Sequence, residues 1–357
     1  MHNARTWDGK RVAGSTDPDT PAADVAAVAA VRRAVQRALD GLPGPARGAP
    51  LLVACSGGAD STALLAAARA TAPGRVHVAV VDHGLQDCSA ERSAALVAGL
   101  TAQGVPAAVH TVVVDGPGGV EAAARRARYD ALRAARPHPD SAVLLGHTLD
   151  DQAETVLLGL GRGSGARSLA GMTSWDPPWL RPLLGLRRAE TAAACRAQEL
   201  PFWDDPHNAD PRFTRVRLRH EVLPLLEEVL AGGVAEALAR TAAQLRDDGA
   251  ALDAAAHDLL TRAYRNAEDT EQERATRADV LDADVLGASP PAVRRRALRS
   301  WLTTHGVTGL TDLHLRAADD LVGRWRGQGA VALPQRLELV RERGRLHVRT
   351  AAWPGAR

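Results

Sequence analysis

The fold of this chain is decided by the stretch Leu51-Leu52-Val53-Ala54-Cys55-Ser56-Gly57-Gly58-Ala59-Asp60-Ser61. Its apolar run 51–54 predicts a short buried strand, and the pattern from about Ser61 onward predicts a helix directly after the turn. The two glycines let the backbone approach a ligand closely, and the helix N-terminus offers unpaired N–H groups and a positive dipole end. A strand, a glycine loop and a helix in this order therefore predict a phosphate-binding site.

Asp60 is the informative residue of this loop. The Gly-Lys-Ser/Thr ending of a Walker loop is absent. A carboxylate beside phosphates is repelled unless a cation lies between them, so Asp60 predicts a Mg²⁺ ion. An ordinary strand–turn–helix with an acidic first turn is the alternative. The predicted phosphate-binding residues are Ser56, Gly57, Gly58, Ala59, Asp60 and Ser61.

Strands and helices alternate along the residues that follow. Further strands are predicted at 76–81, 109–114 and 142–145, with helices at 90–102 and 121–135. This alternation predicts an α/β fold with a doubly wound, mostly parallel sheet and helices on both faces. In such a sheet the ligand lies outside the carboxyl ends of the strands. The pattern changes near Leu230, where a smaller, largely helical C-terminal domain is expected to follow.

Four segments are expected along the chain. They are a disordered extension at 1–23, a catalytic domain at 24–229, a helical linker at 230–290 and a small basic domain at 291–357. The linker carries twelve acidic and six basic residues, whereas residues 291–349 carry twelve arginines and five acidic residues. Such a basic block is an expected electrostatic footprint for nucleic acid, and a solvated surface is the alternative.

Bulk properties exclude several classes of protein. The 357 residues are 45% hydrophobic and 24% charged with a net charge of +2, which is typical of a soluble globular protein. Cys55, Cys88 and Cys195 are far apart and form no CxxC pair, which argues against a disulfide framework or a cysteine metal site. The N-terminal stretch lacks the apolar core of a signal peptide, and no run of 18 apolar residues occurs. A cytoplasmic protein without a membrane segment is expected.

The Ser-Gly-Gly-x-Asp-Ser pattern at 56–61 is similar to the PP-loop of the ATP pyrophosphatase superfamily. Members of that superfamily cleave ATP between the α and β phosphates, pass AMP to a carbonyl oxygen and release pyrophosphate. The resemblance implies that ATP is a substrate and that Mg²⁺ accompanies it at Asp60. The motif alone leaves lysidine synthetases, tRNA thiolases, asparagine synthetases and GMP synthetases open.

Two further segments resemble lysidine synthetases. The stretch Val81-Asp82-His83-Gly84-Leu85 is similar to a Val-Asn/Asp-His-Gly-Leu stretch of that family. The resemblance implies that His83 lies beside ATP. The helical stretch Ala124-Arg125-Arg126-Ala127-Arg128-Tyr129 places Arg125 and Arg128 on one helix face. In the family such a pair is expected to hold the α-phosphate during adenylation. A solvated helix face with salt bridges is the alternative.

The most discriminating segment is Gly146-His147-Thr148-Leu149-Asp150-Asp151-Gln152-Ala153-Glu154-Thr155. On a helix the spacing of His147, Asp151 and Glu154 places all three side chains on one face. The alternative is that acids in a first turn offset the helix dipole while Thr148 caps it. The stretch closely resembles the acidic motif of lysidine synthetases. The resemblance implies that lysine is held by His147, Asp150, Asp151 and Glu154, and that catalysis rests on Asp60, Arg125, Arg128 and Asp151.

Later segments are also similar to the lysidine synthetase family. A glycine-rich loop at 161–167 leads to Gly171-Met172, and a stretch from Trp203 to Pro224 follows the family pattern. That stretch departs from the pattern at His207, where Ser or Thr is usual, and at Val216, where Asn is usual. The residues expected to bind tRNA are Arg162, Arg167, Arg215 and Arg219.

The resemblance covers roughly residues 50–225 and implies a complete reaction. ATP adenylates the 2-carbonyl oxygen of the wobble cytidine in an isoleucine tRNA with a CAU anticodon. Free L-lysine then displaces AMP, and the resulting lysidine changes codon reading from AUG to AUA. The rivals are a PP-loop tRNA thiolase, another AMP-forming amide- or base-modifying enzyme, and a non-catalytic nucleotide-binding regulatory protein. The thiolase needs sulfur-carrying cysteines, which this sequence does not offer. The oligomeric state leaves no signal in the sequence.

Overall fold

The computed structural model of the chain describes residues 22–84, 88–116, 119–163, 165–203, 210–267 and 280–351. The expected N-terminal extension lies almost wholly outside these ranges, as do Leu85, Ser164 and His207. The chain divides into two compact units, Met1–Ala243 and Gln244–Arg357.

The first unit alternates strands and helices as the sequence predicts. Its α-helices are α1 Ala22–Asp40, α2 Gly44–Gly48, α3 Ala59–Thr71, α4 Ser89–Ala102, α5 Gly119–Ala134, α6 Leu149–Gly161, α7 Ala166–Leu169, α8 Arg188–Ala197, α9 Thr214–Arg217 and α10 Leu223–Val229. A π-helical turn, Leu218–Val222, joins α9 to α10. Its strands are β1 Leu51–Ala54, β2 Val76–Asp82, β3 Ala107–Thr111, β4 Val143–Leu144, β5 Trp175–Asp176 and β6 Trp179–Leu180.

These strands form one six-stranded sheet in the order β3-β2-β1-β4-β6-β5. All neighbours run parallel except β5, which pairs with β6 antiparallel. β1 lies in the interior of the sheet and all four of its residues are buried, which explains why it is continuously apolar. The prediction of a doubly wound, mostly parallel sheet is confirmed.

The register of β1 and β4 positions the functional residues. Val53 pairs with Val78 on one side and with Leu144 on the other, so the carboxyl ends of β1 and β4 lie next to each other. The loop after β1 leads into α3, and the loop after β4 leads into α6. The glycine loop and the acidic motif, about 90 residues apart in the chain, therefore meet at one edge of the sheet.

The second unit combines helices with an antiparallel sheet. The helix α11, Val234–Ala267, contributes its later turns, and α12 Ala283–Gly287, α13 Pro291–Thr304 and α14 Asp312–Gly323 follow. Strands β7 Val280–Asp282, β8 Val331–Leu333, β9 Leu337–Glu342 and β10 Arg345–Thr350 form a sheet in the order β7-β10-β9-β8.

This sheet is larger than the one or two strands that alternation at 331–348 predicts. β7 pairs with β10 across more than 60 residues, a pairing that a local pattern does not report. Leu259, Leu281 and Leu286 belong to the same buried core as Trp301 and Leu346. Parts of the segment expected to be a linker therefore pack inside the second unit. No helix in the described ranges is long and apolar enough to cross a membrane.

Candidate functional site

The glycine loop after β1 has an open helix N-terminus. Gly57 has a φ of +81°, a conformation that L-residues with side chains rarely adopt. The Ser61 hydroxyl donates to the Gly58 carbonyl at 3.0 Å and accepts from the Ser56 N–H at 3.2 Å, which closes the loop on itself. Gly58 caps α3 without a side-chain hydrogen bond. The N–H groups of the first turn therefore remain available to an anion.

Asp60 projects from this first turn to α8. The Thr191 hydroxyl donates a short hydrogen bond to Asp60 Oδ1, and Arg188 Nε lies 3.3 Å from Asp60 Oδ2. Burial raises the pKa of the Asp60 carboxyl, and the Thr191 hydrogen bond and the Arg188 charge oppose that shift. The carboxylate is thus held in place by two side chains from a helix 128 or more positions further along the chain.

The acidic motif opens α6 with a capping box. Asp151 Oδ2 accepts from the Thr148 backbone N–H at 2.8 Å and from the Thr148 hydroxyl at 3.0 Å. Asp151 Oδ1 accepts from Arg188 Nη2 at 2.7 Å and lies 3.6 Å from Arg219 Nη2. Burial alone would raise the pKa of this carboxyl, but Arg188, the Thr148 N–H and Arg219 outweigh burial and lower the pKa. Asp151 is therefore ionised.

Glu154 lies one turn further along α6 and its side chain is fully buried. Arg219 holds it with a two-point contact, Nε to Oε1 at 2.8 Å and Nη2 to Oε2 at 3.3 Å. Arg215 and Arg188 add guanidinium nitrogens at 3.8 Å each. Burial raises the pKa of the Glu154 carboxyl, and Arg219 opposes that shift.

Asp150 faces the start of α8. Its Oδ2 accepts from the Arg188 backbone N–H at 2.7 Å, and its Oδ1 lies 3.2 Å from Arg187 Nε. Arg187 also donates to Glu236 at 2.8 Å. Asp150 thereby fixes the main chain of Arg188, while the side chain of Arg188 reaches Asp60, Asp151 and Glu154.

Arg188 is the cation that joins the glycine loop to the acidic motif. Its nitrogens lie 3.3 Å from Asp60, 2.7 Å from Asp151 and 3.8 Å from Glu154. Burial would lower the pKa of this guanidinium, but Asp151, Asp60 and Glu154 outweigh burial and raise the pKa. A single side chain thus spans the two motifs that the sequence singles out.

The opposite character prevails around α5. Among the described residues, the Arg128 guanidinium has neither a hydrogen bond nor an ion pair, and desolvation lowers its pKa. Arg125 donates to the Tyr129 hydroxyl at 3.1 Å and stacks over the Tyr129 ring at 4.8 Å. Of the two predicted α-phosphate ligands, Arg128 is therefore the one whose charge is left without a partner in the described part of the chain.

Two histidines that follow the strands on either side of β1 share this environment. His83 follows β2 and His147 follows β4, and the Nδ1 atom of each is buried without a hydrogen-bond partner among the described residues. Burial lowers the pKa of His83, and Arg128 lowers it further. Burial lowers the pKa of His147 to about 3, so this ring is neutral at physiological pH.

The predicted tRNA-binding arginines fall into two groups. Arg162 and Arg167 are exposed, at the end of α6 and in α7. Arg215 and Arg219 instead contact Glu154, so their guanidinium groups belong to the acidic cluster. Val216, where the family pattern has Asn, is a buried apolar residue of α9.

The loop that carries Arg162 and Arg167 leads back to α6. Gln152 clamps Met172 with two amide hydrogen bonds of 2.7 and 2.8 Å. Gly171 has a φ of +62°, and a Cβ there would lie 2.6 Å from Gln152 Oε1. Gly171 is therefore required for this clamp, whereas Met172 takes part only through its backbone N–H and carbonyl.

Arg187, Arg188 and Thr191 are site residues that the sequence reading omits. One signal was available: two consecutive arginines, Arg187 and Arg188, stand at the start of α8. A helix N-terminus disfavours positive charge, so cations there need acidic partners. The partners are Asp150, Asp151 and Asp60.

The cysteines do not resemble a sulfur-transfer site. Cys55 directly follows β1 and is buried, and burial raises the pKa of its thiol. Burial also raises the pKa of Cys195, to about 12. A reactive cysteine needs an exposed thiol with a lowered pKa. Within the described residues, no group of three or more His, Cys, Asp or Glu side chains is arranged to hold a metal ion by itself.

Comparison with known proteins agrees with this geometry. The protein-family model for the PP-loop domain matches residues 31–226. The family model for the TilS substrate binding domain matches residues 281–347. The tRNA(Ile)-lysidine synthase of Rhodococcus erythropolis is 56% identical over 303 residues, which are 83% of this chain and 88% of that protein. The tRNA(Ile)-lysidine synthase of Mycolicibacterium paratuberculosis is 57% identical over 282 residues, 79% of this chain and 83% of that protein.

Among solved structures, the U34-tRNA thiolase NcsA from Methanococcus maripaludis, described with its [4Fe-4S] cluster, covers 62% of this chain and 80% of its own. Its TM-score is 0.48 and its sequence identity 16%, a likeness too distant to bear on activity.

The fold and the glycine loop define a PP-loop enzyme, which uses ATP as its substrate. Within that class the chain belongs to the tRNA(Ile)-lysidine synthase family, the tRNA-modifying ligases. The sequence resemblance to this family is confirmed. The roles of individual site residues stay predictions.

Proposed function

We propose that this enzyme joins L-lysine to carbon 2 of the wobble cytidine in an isoleucine tRNA with a CAU anticodon, with formation of AMP and pyrophosphate. The observation that carries the proposal is the Arg188 bridge between Asp60 and Asp151. One guanidinium contacts both the glycine loop and the acidic motif. The two motifs are therefore close enough to act on the same nucleotide. The similarity to tRNA(Ile)-lysidine synthases supports the same reaction.

The first step is adenylation. The glycine loop 56–61 binds the triphosphate through the N–H groups of the α3 first turn. The residues present fit a Mg²⁺ ion, because Mg²⁺ is usually bound by one or two carboxylates together with substrate phosphates and waters. Asp60 supplies such a carboxylate, held in place by Thr191. When bound, the ion would supply neutralisation of the phosphate charge beside Asp60.

Arg128 is the proposed ligand of the α-phosphate, with Arg125 beside it. A partly buried guanidinium without a partner among the described residues attracts an anion strongly. The cytidine 2-oxygen attacks the α-phosphorus, the bond to the β-phosphate oxygen breaks, and pyrophosphate leaves. His83 and His147 line the same region with neutral rings and unpartnered Nδ1 atoms that can contact the nucleotide.

The second step uses the acidic motif. Asp151, Glu154 and Asp150 attract the ammonium of free lysine to the edge of the sheet, and the charge of Asp151 also acts on His147. After losing a proton, the ε-nitrogen attacks carbon 2 of the adenylated cytidine, and the bond from carbon 2 to the AMP oxygen breaks. The product is lysidine, which pairs with A in place of G.

Binding of tRNA is assigned to arginines in both units. In the first unit the candidates are Arg162 and Arg167, with Arg215 and Arg219 able to approach the anticodon from the acidic cluster. In the second unit the basic block at 291–357 is proposed to contact the tRNA backbone, which agrees with the description of the matching family domain. A location in the cytoplasm, where tRNA is modified, is proposed with it.

The test measures tRNA-dependent exchange of labelled pyrophosphate into ATP, together with incorporation of labelled lysine. Wild-type protein should show both activities with the isoleucine tRNA and neither with the same tRNA carrying a CAG anticodon. Asp60→Asn should lower exchange by about 10² to 10³-fold, as loss of a group that stabilises transition-state charge does. Asp40→Asn, at the exposed end of α1, is the matched control. Wild-type exchange by folded Asp60→Asn protein would exclude the assigned role of the loop.

A further inference from the structure

Each carboxylate oxygen of Asp151 and Glu154 already has a polar contact. Asp151 Oδ2 accepts two hydrogen bonds from Thr148, and Oδ1 faces Arg188 and Arg219. Glu154 Oε1 faces Arg219 and Arg188, and Oε2 faces Arg219 and Arg215. An incoming lysine ammonium would therefore share both carboxylates with guanidinium groups that already lie within 3.8 Å of them. Displacement of one guanidinium removes a like charge from the place where the ammonium would bind.

The three arginines differ in how firmly they are held. Arg219 grips Glu154 with two nitrogens, the geometry of the stronger arginine–carboxylate pairs. Arg215 reaches Glu154 only at 3.8 Å and has no recorded contact with Asp151. Arg188 makes one-point contacts with Asp151, Glu154 and Asp60. Of the three, only Arg188 also touches the glycine loop.

The main chain of Arg188 is held independently of its side chain. Its N–H donates to Asp150 at 2.7 Å, and its backbone lies in the first turn of α8. The side chain retains 29% of its accessible surface. A shift of the guanidinium therefore needs only side-chain rotation, without movement of α8.

We propose that Arg188 is a stand-in for the substrate ammonium, occupying the cation position at Asp151 and Glu154 until ATP draws it away. This inference rests on the proposed role of those two acids in binding lysine. ATP phosphates at the loop would lie beside Asp60, which Arg188 already contacts. A guanidinium binds phosphate bidentately, which is stronger than the one-point contacts that it would leave.

The consequence is a positive coupling between ATP and lysine, with Arg188 as the positioning residue that transmits it. Without ATP, lysine competes with Arg188 for the carboxylates. With ATP bound, Arg188 moves toward the phosphates and the carboxylates become accessible. Lysine thus binds productively only to an enzyme that already holds ATP. The reason is that the Arg188 side chain responds to ATP at the glycine loop and, without ATP, blocks the carboxylates that bind lysine.

Calorimetric titration of L-lysine into the full-length protein tests the coupling. Titrations are run with Mg²⁺ present, without nucleotide and with the non-cleavable α,β-methylene analogue of ATP. In the wild type, the analogue should tighten lysine binding by roughly 5- to 150-fold, the usual range of such couplings. In Arg188→Gln, lysine should bind more tightly than in the wild type without nucleotide, and the analogue should change its affinity by less than about twofold. A gain of affinity on losing a side chain is not expected from a merely structural residue.

Arg196→Gln is the matched control on the same helix, because Arg196 is exposed and pairs only with Asp24 among the contacts recorded for it. It should keep the wild-type coupling. Arg188→Met, which keeps the apolar stem, is the second variant should Arg188→Gln melt at a lower temperature than the assay. Two results would overturn the inference: a wild type in which the analogue leaves lysine affinity unchanged, or folded Arg188 variants that retain the full coupling.

The same titrations separate this inference from the proposed function. If Glu154→Gln leaves lysine affinity unchanged with and without the analogue, the acids are not the lysine site and both ideas fail. If Glu154→Gln weakens lysine binding but Arg188→Gln keeps the coupling, the lysine site stands and only the role of Arg188 is wrong.

Discussion

Two groups of residues in the candidate site differ in how their charges are satisfied. On the acidic side, Asp60, Asp151 and Glu154 each contact at least one guanidinium. On the basic side, Arg128 has no hydrogen bond or ion pair, and His147 has an unpartnered Nδ1, among the residues that the structure describes. Leaving a partly buried cation unpaired costs free energy, which an anionic ligand offsets. The difference supports the proposals that the basic side binds phosphate and that the acidic side is occupied by its own arginines in the absence of ligands.

Removing the unpaired cation should have the largest effect. Arg128→Met should lower tRNA-dependent ATP–pyrophosphate exchange by about 10² to 10³-fold, because the α-phosphate loses its charge partner in the transition state. The same change should leave the melting temperature equal to or above that of the wild type, because a poorly solvated, unpaired charge disappears. Exchange kinetics and calorimetric melting measure the two effects.

Arg125→Gln provides the comparison for this prediction. Arg125 already has a hydrogen bond and a stacking contact with Tyr129, so its loss should reduce exchange by less than loss of Arg128. A variant at Arg128 that melts several degrees lower with unaltered exchange would show that its charge serves the fold.

On the acidic side, Glu154→Gln should raise the lysine KM by roughly 10- to 150-fold, from the loss of a charge-assisted bond worth about 1.5 to 3 kcal/mol. Pyrophosphate exchange should change less, because it precedes lysine attack. The melting temperature should fall, since Arg219 loses its two-point partner. Steady-state kinetics in lysine provide the measurement.

Glu221→Gln is the control for Glu154, because Glu221 pairs with Arg217 on an exposed helical turn. Such pairs contribute little, and the lysine KM should stay at its wild-type value. An equal effect of the two substitutions would mean that the lysine KM depends on the net charge of the protein and not on a contact between lysine and Glu154.

The second unit extends the comparison to cations that are already paired. A cleft of about 420 Å³ is lined by Pro291, Arg294, Arg295, Arg316, Asp319, Asp320, Gly323 and Arg324. Arg294 is buried against Asp319 at 2.5 Å and forms a fixed part of the wall. Arg316 and Arg324 make exposed pairs with Asp312 and Asp320, which tRNA phosphates can replace at little cost.

Changing Arg295, Arg316 and Arg324 together to Gln should therefore weaken tRNA binding and flatten its dependence on salt. Each lost phosphate contact should lower the slope of log affinity against log salt by about 0.7 to 0.9. Arg32, Arg33 and Arg37 of α1, changed together to Gln, match the charge removed. A slope equal to that of this control would mean that the cleft does not touch RNA. Binding of the ATP analogue should be unaffected.

The smallest expected effect concerns pH and His147. Its ring faces Asp151, Arg128, Arg181 and Arg125, and burial lowers its pKa from 6.5 to about 3. The unfolded chain therefore takes up a proton that the folded chain refuses as the pH falls below 6.5. The contribution of His147 to the free energy of unfolding is therefore fully present above pH 6.5 and is lost as the pH falls toward 3. In His147→Asn, the fall in melting temperature between pH 7 and pH 5 should be smaller than in the wild type by a few degrees.

His138→Asn is the control for the pH prediction, because His138 is exposed beside Asp140. Its substitution removes an exposed histidine and should alter the pH dependence of melting less than His147→Asn does. Parallel pH curves for wild type and His147→Asn would contradict a neutral buried ring.

Much of the first unit was predictable because its signals are local. The apolar residues 51–54, the two glycines after them and the apolar run near 142–145 are read within a few positions, and β1 and β4 form there. The capping of α6 by Thr148 was readable for the same reason. The sequence also allowed a simpler interpretation, in which the acids of the first turn only offset the helix dipole while Thr148 caps the helix. The structure has this capped first turn together with the acidic cluster, so the two interpretations do not exclude each other.

The pairing inside the site was not predictable, since it joins distant positions. Arg188 and Asp60 are 128 positions apart, and Arg219 and Glu154 are 65 apart. The sequence analysis assigns Arg215 and Arg219, which lie in a stretch that resembles the lysidine synthetase family, to tRNA, and no local pattern indicates that they turn toward α6. β7 escaped prediction likewise, because three residues acquire their meaning only through pairing with β10.

The identity of the cations around the acidic cluster has a consequence for side reactions. All of them are arginines, and the only lysine of the chain is Lys10. A guanidinium stays protonated and is a poor nucleophile, whereas an amine that loses its proton attacks activated carbon. A lysine at position 188 would stand where the substrate amine is meant to arrive and would compete for the adenylated cytidine, tethering the enzyme to its own tRNA. Arginine supplies the same charge as the substrate ammonium without its nucleophilicity. An arginine at position 188 therefore protects the enzyme from covalent attachment to its tRNA.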